Sequence, residues 1–387
     1  MTSGREAGRV SEEIRVSLDP LTDLAGLERD WLQLQPRSDP SFFQSWTWIG
    51  CWLTTLPASI CPLVLRAICG ESTVGLGVFV PHRTIRHGFV VSKGLYLHET
   101  GRAEFDHMTI EHNGLLVDRE GANAIIAKSI DSLIGLNQFD ELHFSGVPYP
   151  YLDLCAKTSS HLEVKKTLPL HSVDLVKAAE AGYERLLSKN TRQQIRRAAR
   201  LYEGGLSSAS LSYSIARDED QAMVFLSDLQ RLHQAYWRAR GKAGAFANPF
   251  FTAFHNRLVR EALSRKEVEI AKISSENGLI GYLYQFRKNG HVYSYQSGFH
   301  YEQDNRLKPG LVSHRLAIEH SLSAGDRVYD FLAGDDRYKR SLATDGGQLF
   351  WLTLQKRRLA FSLERGLRAG KQLALGIWRK PTIESAP

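Results

Sequence analysis

The second half of the chain alternates between a hydrophobic period of two and a helical period. Two alternating stretches, Gly281–Arg287 and His291–Phe299, flank Asn289-Gly290, the dipeptide that most strongly favours a two-residue hairpin turn. A polar loop follows, and Pro309-Gly310 opens a helix that ends before the short apolar strand Val328–Leu332. This order of elements predicts a hairpin followed by a βαβ unit.

The rest of the chain also alternates strands with helices, which indicates an α/β fold with a mixed sheet. A twofold duplication of one α/β domain fits this order. Further strands are expected at Ile14–Leu18, Leu63–Ile68, Thr73–Val80, Gly88–Leu97, Glu141–Phe144, Val164–Leu175, Leu211–Ile215, Val268–Ile273 and Gln348–Leu354. Further helices are expected at Leu24–Leu34, Gln44–Leu56, Ala122–Ile134, Tyr183–Tyr202, Glu219–Arg238, Phe250–Arg265 and Leu359–Leu375.

Four strings in the second half carry a family resemblance: Tyr293-Ser294-Tyr295, Lys308-Pro309-Gly310, Asp330–Asp335 and Tyr338-Lys339. In this order they resemble the acyl-CoA N-acyltransferase domain of the GNAT superfamily, in its CelD-type branch, which is related to the FemAB-type aminoacyltransferases. The resemblance implies tandem GNAT-like domains, with a degenerate domain at 1–170, a better-matching acyltransferase domain at 171–357 and a basic helix and tail at 358–387.

The helix start at Pro309-Gly310 is the expected donor site. Unpaired N–H groups and the helix dipole favour a pyrophosphate there, and glycine permits close approach. By resemblance the donor is acyl-CoA, held by Arg306, Lys308, Gly310, Leu311 and Lys339. The loop lacks the second small residue of the GNAT pattern, so an aminoacyl-tRNA donor stays open.

The expected catalytic residues are Tyr338, Asp330 and His233. By resemblance Tyr338 protonates the leaving thiolate, and it can do so if its proton lies within hydrogen-bond reach of the sulfur. Asp330 interrupts an apolar strand, where a carboxylate must be paired or functional. His233 is a candidate base because its pKa lies near neutrality, although a lone helical histidine is more often a satisfied polar residue. The substrate is expected to contact Tyr295, Gln296, Trp237 and Phe246.

Two other polar patterns have a plainer explanation beside the functional one. In the helix after Pro309, His314 and His320 fall opposite the apolar arc, and we expect both on the surface. Arg192, Arg196 and Arg200 are spaced four residues apart, so they form a stripe that grips phosphates or simply faces solvent.

Composition restricts the function further. The 387 residues include 43% hydrophobic and 24% charged residues, as in ordinary globular proteins, and no apolar run approaches the ~18–20 residues of a membrane span. The first residues lack an apolar leader and the four cysteines lack metal spacing, so we expect a cytoplasmic protein without a metal site. No P-loop, GxSxG, HExxH or GxGxxG motif supports a hydrolase or dinucleotide enzyme.

The net charge of +7 arises in the tail, because 356–380 hold eight basic residues and one acid. Either this tail is a solvated helix or it touches an anionic membrane surface, peripheral to the inner membrane face, or nucleic acid. The expected function is transfer of an acyl group from acyl-CoA to an amine acceptor, an amino sugar or small amino compound, and the CelD resemblance implies polysaccharide biosynthesis. The alternatives are an aminoacyl-tRNA-dependent ligase and a non-catalytic scaffold.

Overall fold

The computed structural model describes residues 13–88, 90–204 and 211–367. The strands are β1 Arg15–Pro20, β2 Leu63–Cys69, β3 Ser72–Arg86, β4 Val90–Leu97, β5 Leu116–Val117, β6 Glu141–Val147, β7 His161–Asp174, β8 Ser212–Ile215, β9 Val268–Ser275, β10 Gly278–Lys288, β11 His291–Phe299, β12 Val328–Ala333 and β13 Asp345–Gln355. The helices are α1 Leu24–Leu34, α2 Trp46–Thr55, α3 Ala122–Gly135, α4 Tyr149–Ala156, α5 Leu175–Ala181, α6 Tyr183–Leu186, α7 Lys189–Tyr202, α8 Glu219–Arg238, α9 Pro249–Ala262, α10 Pro309–Ser323 and α11 Arg337–Leu342. Residues 359–367 are also helical.

These strands form one mixed sheet with a twofold order. Its sequence across the described chain is β1-β2-β3-β4-β6-β13-β7-β12-β11-β10-β9-β8, with β5 beside β3. In each half antiparallel strands lead to one parallel pair, β4 with β6 and β11 with β12. The predicted α/β class with a mixed sheet is confirmed, and the sheet consists of two halves with similar strand order.

The two halves exchange their last strands. The first half ends in β7, which pairs with β12 of the second half, whereas β13 of the second half pairs with β6. β7 and β13 then pair with each other from Ser172 opposite Asp345 to His161 opposite Gln355. The backbone hydrogen bonds of both strands are therefore satisfied only when both halves are folded together.

An aromatic cluster also joins the halves. The rings of Phe42 and Phe286 stack with centroids 4.3 Å apart, and Trp48 meets Phe254 edge-on at 4.8 Å. All four side chains are almost completely buried. Such pairs contribute about 0.5–1.5 kcal/mol each beyond their buried area. The contact between the two halves, which we call the seam, is therefore a hydrophobic core and not a docking surface.

Most predicted elements are present, and the differences have local causes. The single helix expected at Tyr183–Tyr202 is two helices, because Ser188 adopts an extended conformation and its hydroxyl caps the Thr191 N–H of α7. The short helices α4, α5 and α11 were not predicted. The helix expected at Leu359–Leu375 is described only to residue 367, and the rest lies outside the described residues. Within the described ranges, no helix combines the length and apolarity needed to cross a membrane.

The prediction that His314 lies on the surface is wrong. It is 2% exposed, because it lies on the side of α10 that packs against β11, β12 and α11, beside Phe299, Phe331 and Tyr338. Its Nδ1 lies 2.9 Å from the Tyr329 hydroxyl, and Tyr329 in turn accepts a hydrogen bond from Gln285. Burial lowers the pKa of His314 to about 3, so this histidine is a neutral member of a buried network. His320 is half-buried against the Tyr213 ring.

A buried charge cluster completes the seam. Nε2 of His112, from the first half, lies 2.9 Å from Oδ2 of Asp330, and Nε2 of His291 lies 3.1 Å from the same oxygen. The second carboxylate oxygen accepts the Leu332 N–H at 2.7 Å. Burial opposes ionisation of Asp330, but His112 and His291 outweigh it and hold the pKa of this carboxyl well below its usual range. Burial also disfavours charged His112, yet Asp330 raises the pKa of that imidazole.

The seam predicts pH-dependent stability. Asp330→Asn keeps an oxygen for the Leu332 N–H but removes the charge opposite His112. Since the folded pKa of His112 is raised, this pairing is fully present below the unfolded value of about 6.5 and lost as the pH rises through the folded value. We expect Asp330→Asn to lower the free energy of unfolding by about 3 kcal/mol near pH 6, with a smaller loss near pH 9, in urea titrations.

The control is Asp131→Asn, on the exposed face of α3. It should change the free energy of unfolding by less than about 0.5 kcal/mol at either pH. Equal losses for Asp330→Asn at the two pH values would contradict the ionic role of the cluster.

Candidate functional site

The candidate site is a cleft that opens where β11 and β12 separate. The two strands pair only from His291 opposite Val328 to Tyr293 opposite Asp330. Beyond that point β11 bulges at Tyr295, because its pairing with β10 shifts register there. The resulting cleft has a volume of about 710 Å³ and lies between β11, the last turn of α8 and the first turns of α10 and α11. Bulges of this kind are typical beside ligand sites, where they redirect side chains.

The α10 N-terminus forms one wall of the cleft, as the sequence predicts. Lys308 occupies the cap position without a side-chain hydrogen bond, and Pro309, Gly310 and Leu311 follow along the lining. A Cβ at Gly310 would meet only the Phe299 ring, at 3.4 Å. The wall therefore presents uncapped backbone to the cleft, with the positive end of the helix dipole behind it.

The three predicted cationic residues occupy different positions. Lys308 lines the cleft. Arg306 is exposed and forms a salt bridge with Asp304, at 2.6 Å, within the preceding loop. Lys339 is 8% exposed, and its Nζ donates to the carbonyl oxygens of Leu332 and Ala333 at 3.2 and 2.8 Å. Lys339 therefore fixes the end of β12 at the inner wall of the cleft.

Tyr338 lines the cleft, as expected of a proton donor. Its ring stacks on His314 with centroids 5.3 Å apart and meets Phe331 edge-on at 6.1 Å. Burial raises the pKa of Tyr338 well above its usual range, so the phenol keeps its proton at neutral pH. A rigidly held, protonated phenol suits a general acid.

His233 is in the cleft, but its geometry opposes the predicted role as a base. Nε2 accepts the Trp237 indole N–H at 2.9 Å, and Nδ1 lies 3.2 Å from Oε1 of Gln234. Burial lowers the pKa of His233, although Gln234 acts in the opposite direction. With one nitrogen accepting and the other donating, the ring has no free lone pair for a substrate. Phe246 packs edge-on against the imidazole at 5.2 Å, and Trp237 lines the cleft.

The middle of β11 forms the floor of the cleft. Tyr295 and Gln296 both line the cleft, and the Tyr295 hydroxyl donates to the Met108 carbonyl oxygen from the first half. Gly298 of β11 does not open the strand to a ligand. A Cβ there would lie 2.5 Å from the Leu229 carbonyl oxygen, so this glycine serves the close packing of α8 on β11.

Asp330 is not placed to act as a base. It is 2% exposed, both carboxylate oxygens have partners, and its low pKa makes it a weak proton acceptor. The strand-interrupting carboxylate is thus paired, which is one of the two possibilities that the sequence left open. Its partners were not predictable, because His112 lies more than two hundred positions earlier in the chain.

The basic stripe on α7 is partly used within the fold. Nη1 of Arg192 donates to the carbonyl oxygens of Glu184 and Leu187, at 3.2 and 2.9 Å, and so closes the loop before the helix. Arg196 forms an exposed salt bridge with Glu184 at 2.6 Å. Arg200 is exposed. This arrangement leaves less of the stripe available to phosphates than the spacing suggests.

Sequence reasoning missed the groups that the first half contributes near the cleft. Glu111 accepts the Ala333 N–H at 2.5 Å, and the neighbouring His112 reaches Asp330. Their only sequence signal is a pair of adjacent titratable residues in a long loop. Within 13–88, 90–204 and 211–367, histidine, cysteine and carboxylate side chains form no cluster suited to a metal ion.

Comparison with known proteins agrees with this geometry. Residues 189–340 match the family model described as Acetyltransferase (GNAT) domain, which spans α7 to α11. No curated protein sequence matches the chain significantly. The CelD-type branch suggested by the sequence strings is not resolved by this match.

Two solved structures resemble the fold over most of its length. The C-terminal DUF2156 domain of an Agrobacterium fabrum protein described as a lysylphosphatidylglycerol synthetase has a TM-score of 0.53 at 12% identity, with 88% of this chain and 95% of that chain covered. FemX has a TM-score of 0.53 at 9% identity, with 87% of this chain and 96% of that chain covered. At these identities the likeness concerns the fold, and the chain is thus a tandem α/β protein whose second half contains a match to the GNAT acetyltransferase domain.

Proposed function

We propose that this protein transfers an acyl group from acyl-CoA to an amine acceptor in the cleft between β11 and β12. The observation that carries the proposal is the separation of these two parallel strands directly beside the uncapped α10 N-terminus. An extended thioester arm fits between separated strands, while its pyrophosphate rests on the helix start. The match of residues 189–340 to a GNAT acetyltransferase domain supports the same donor class.

The reaction needs no covalent enzyme intermediate. The amine attacks the thioester carbonyl, a C–N bond forms, the C–S bond breaks, and the amine gives up a proton. The leaving thiolate takes a proton from Tyr338, whose ring lines the cleft and whose pKa is raised by burial. Holding donor and acceptor in one cleft supplies much of the acceleration through orientation.

The amine acceptor is proposed to enter beside α8. Trp237 and Gln296 line that side of the cleft, together with the stacked rings of Tyr236 and Tyr301, whose centroids are 4.8 Å apart. Aromatic faces of this kind suit a sugar ring or a small amino compound. An amino-sugar acceptor in polysaccharide biosynthesis is the finer proposal, and it rests on the CelD resemblance of the sequence strings.

An aminoacyl-tRNA donor is the second candidate. FemX and the lysylphosphatidylglycerol synthetase domain share the fold over nearly their whole length, and the name of the second points to aminoacyl chemistry in that protein. The degenerate loop before Gly310 fits this donor as well. The balance of charge outside the tail, 41 basic against 41 acidic residues, argues against a broad tRNA footprint.

The donor site is tested by Gly310→Asp. A carboxylate at the α10 N-terminus suits the helix dipole, and the added Cβ meets only the Phe299 ring, so the fold should be kept. The same charge repels a pyrophosphate. We expect titration calorimetry with acetyl-CoA to give a dissociation constant about tenfold or more above that of the wild type, equivalent to ~1.4 kcal/mol.

The matched control is Gly135→Asp at the end of α3, where an added Cβ meets nothing within 4 Å. It should bind acetyl-CoA like the wild type. If the wild-type chain binds no CoA species but binds aminoacyl-tRNA, the second candidate replaces the first.

The proposed acid is tested by Tyr338→Phe. The ring and its stacking on His314 remain, while the transferable proton is lost. We expect kcat to fall by about a hundredfold or more, with the dissociation constant for acetyl-CoA unchanged. Tyr149→Phe, on a 64% exposed ring in the first half, is the control for loss of a phenol. An unchanged kcat for Tyr338→Phe would remove this role.

We also propose that the C-terminal helix holds the protein against an anionic membrane surface. Leu359, Leu363 and Leu367 are one turn apart and are 86%, 64% and 62% exposed. On the other side of this helix Phe361 is fully buried, and Glu364 binds Arg86 at 2.9 Å, so the exposed leucines face away from the body of the protein. Basic residues flank this stripe, and an apolar stripe within a cationic segment suits an anionic bilayer.

Flotation with phosphatidylcholine vesicles, with or without phosphatidylglycerol, tests this membrane contact. The wild type should bind only the anionic vesicles, and Leu363→Glu should lower the bound fraction about tenfold, since it removes a leucine that would enter the bilayer and adds a charge that the anionic lipids repel. Val224→Glu changes a similarly exposed apolar residue of α8 and should bind like the wild type. Wild-type binding by Leu363→Glu would contradict the proposal.

A further inference from the structure

One segment of the first half, which we call the crossing segment (residues 108–113), makes polar contacts with the strands that border the cleft of the second half. The Met108 carbonyl oxygen accepts a hydrogen bond from the hydroxyl of Tyr295, which lies on the cleft floor. Glu111 accepts the Ala333 N–H, and His112 lies against Asp330. Three successive contacts therefore fix this segment along the line where β11 and β12 separate.

Glu111 makes the second of these three contacts along the chain. Its Oε2 lies 2.5 Å from the Ala333 nitrogen, and Lys339, which lines the cleft, holds the carbonyl oxygen of the same alanine. The carboxylate is 4% exposed, so bulk water hardly competes for it. Glu111 does not itself line the cleft. It lies near Lys339 of the cleft wall, at the end of β12, so the proposed proton transfer to it would pass through one intervening water.

The environment of Glu111 keeps it basic near neutral pH. Burial raises the pKa of Glu111 to about 7, while the Ala333 N–H, Lys339 and His112 act in the opposite direction and Asp330 adds to the rise. The Tyr295 phenol also faces the carboxylate, and its pKa is raised well above the usual range. A carboxylate with a pKa near the working pH has the proton affinity that a general base needs.

Three carboxylates line the cleft itself. Asp304 is bound by Arg306, and Glu302 and Asp336 are exposed to solvent, so none of them is a buried base.

The buried titratable groups near the cleft are committed elsewhere. Both nitrogens of His233 have hydrogen-bond partners, and both oxygens of Asp330 are bound. Burial lowers the pKa of His314 and of His255 to about 3, so both are poor proton acceptors at neutral pH. Tyr338 keeps its proton and is the proposed acid.

We propose that Glu111, supplied by the first half, accepts the proton of the acceptor amine in the cleft of the second half. This inference rests on the proposed acyl transfer. As the amine nitrogen bonds to the acyl carbon, its proton passes through the intervening water to the Glu111 carboxylate, and the sulfur released from that carbon takes the Tyr338 proton. Each half then supplies one of the two proton-transfer groups, and neither half forms the site alone.

The test compares Glu111→Gln with Glu111→Asp. Glutamine keeps the size and an oxygen for the Ala333 N–H but cannot accept a proton, whereas aspartate keeps the base on a shorter arm. The assay follows thiol release from acetyl-CoA with glucosamine, lysine or ethanolamine as the amine acceptor. The variants are then compared with the acceptor that gives the wild type its highest rate. We expect kcat/KM of the wild type to rise with pH through about 7 and then level off.

Glu111→Gln should lower kcat at least about a hundredfold and abolish the rise near pH 7, whereas Glu111→Asp should keep the rise at a reduced rate. Calorimetry should give wild-type affinity for acetyl-CoA in both variants. Glu104→Gln, an exposed carboxylate just before the crossing segment, should keep the wild-type rate and pH profile. A normal pH profile in Glu111→Gln, even at a reduced rate, would reduce Glu111 to a structural contact and overturn the inference.

Failure of the proposed function itself is visible separately. It would leave the wild-type chain without acetyl-CoA binding or without transfer to any of the three amines, before any variant is compared, and would overturn the Glu111 role with it. Failure of the Glu111 inference alone would leave wild-type binding and turnover intact.

Discussion

The antiparallel pairing of β7 with β13 is the constraint on which the rest of the structure depends. Each strand belongs by sequence to one half and lies against the last parallel strand of the other. Because unpaired backbone groups in the centre of a sheet are costly, neither half can complete its sheet alone. The two halves are thus held at a fixed angle, and residues far apart in sequence can form a site with the precision of a single core.

That fixed angle explains why charge is tolerated at the seam. Asp330 can be buried because His112 and His291 both reach one of its oxygens while the backbone N–H of Leu332 satisfies the other. A buried carboxylate without such partners would be strongly destabilising. A looser junction would admit water, and the raised pKa of Glu111 would then fall towards its ordinary value.

Local sequence patterns predicted much of the fold. The turn at Asn289-Gly290, the strand His291–Phe299 and the helix opened by Pro309 follow from rules that act within about fifteen residues. His314 was misplaced because helical periodicity assigns a polar side chain to the solvent side, whereas this imidazole lies on the sheet side of α10, where the Tyr329 hydroxyl satisfies it. Glu111 was missed for a related reason, since its contact with Ala333 spans 222 positions and leaves no periodic trace.

The two halves, which have similar strand order, differ at the point where a cleft can form. In the first half β4 and β6 pair as far as Tyr96 opposite His143, which corresponds to Tyr293 opposite Asp330 in the second. Past that point the second half opens a cleft of about 710 Å³, whereas the cavity beside His98 and Glu99 is about 10 Å³.

The connection from β4 to α3 fills the corresponding space in the first half with buried side chains, among them Met108 and Ile110. The same connection contains the crossing segment, which contacts Ala333 and Asp330 of the second half. The same connection therefore fills the space beside β4 and β6 and contacts the strands that border the cleft of the second half, and this accounts for the difference in size between the two cavities.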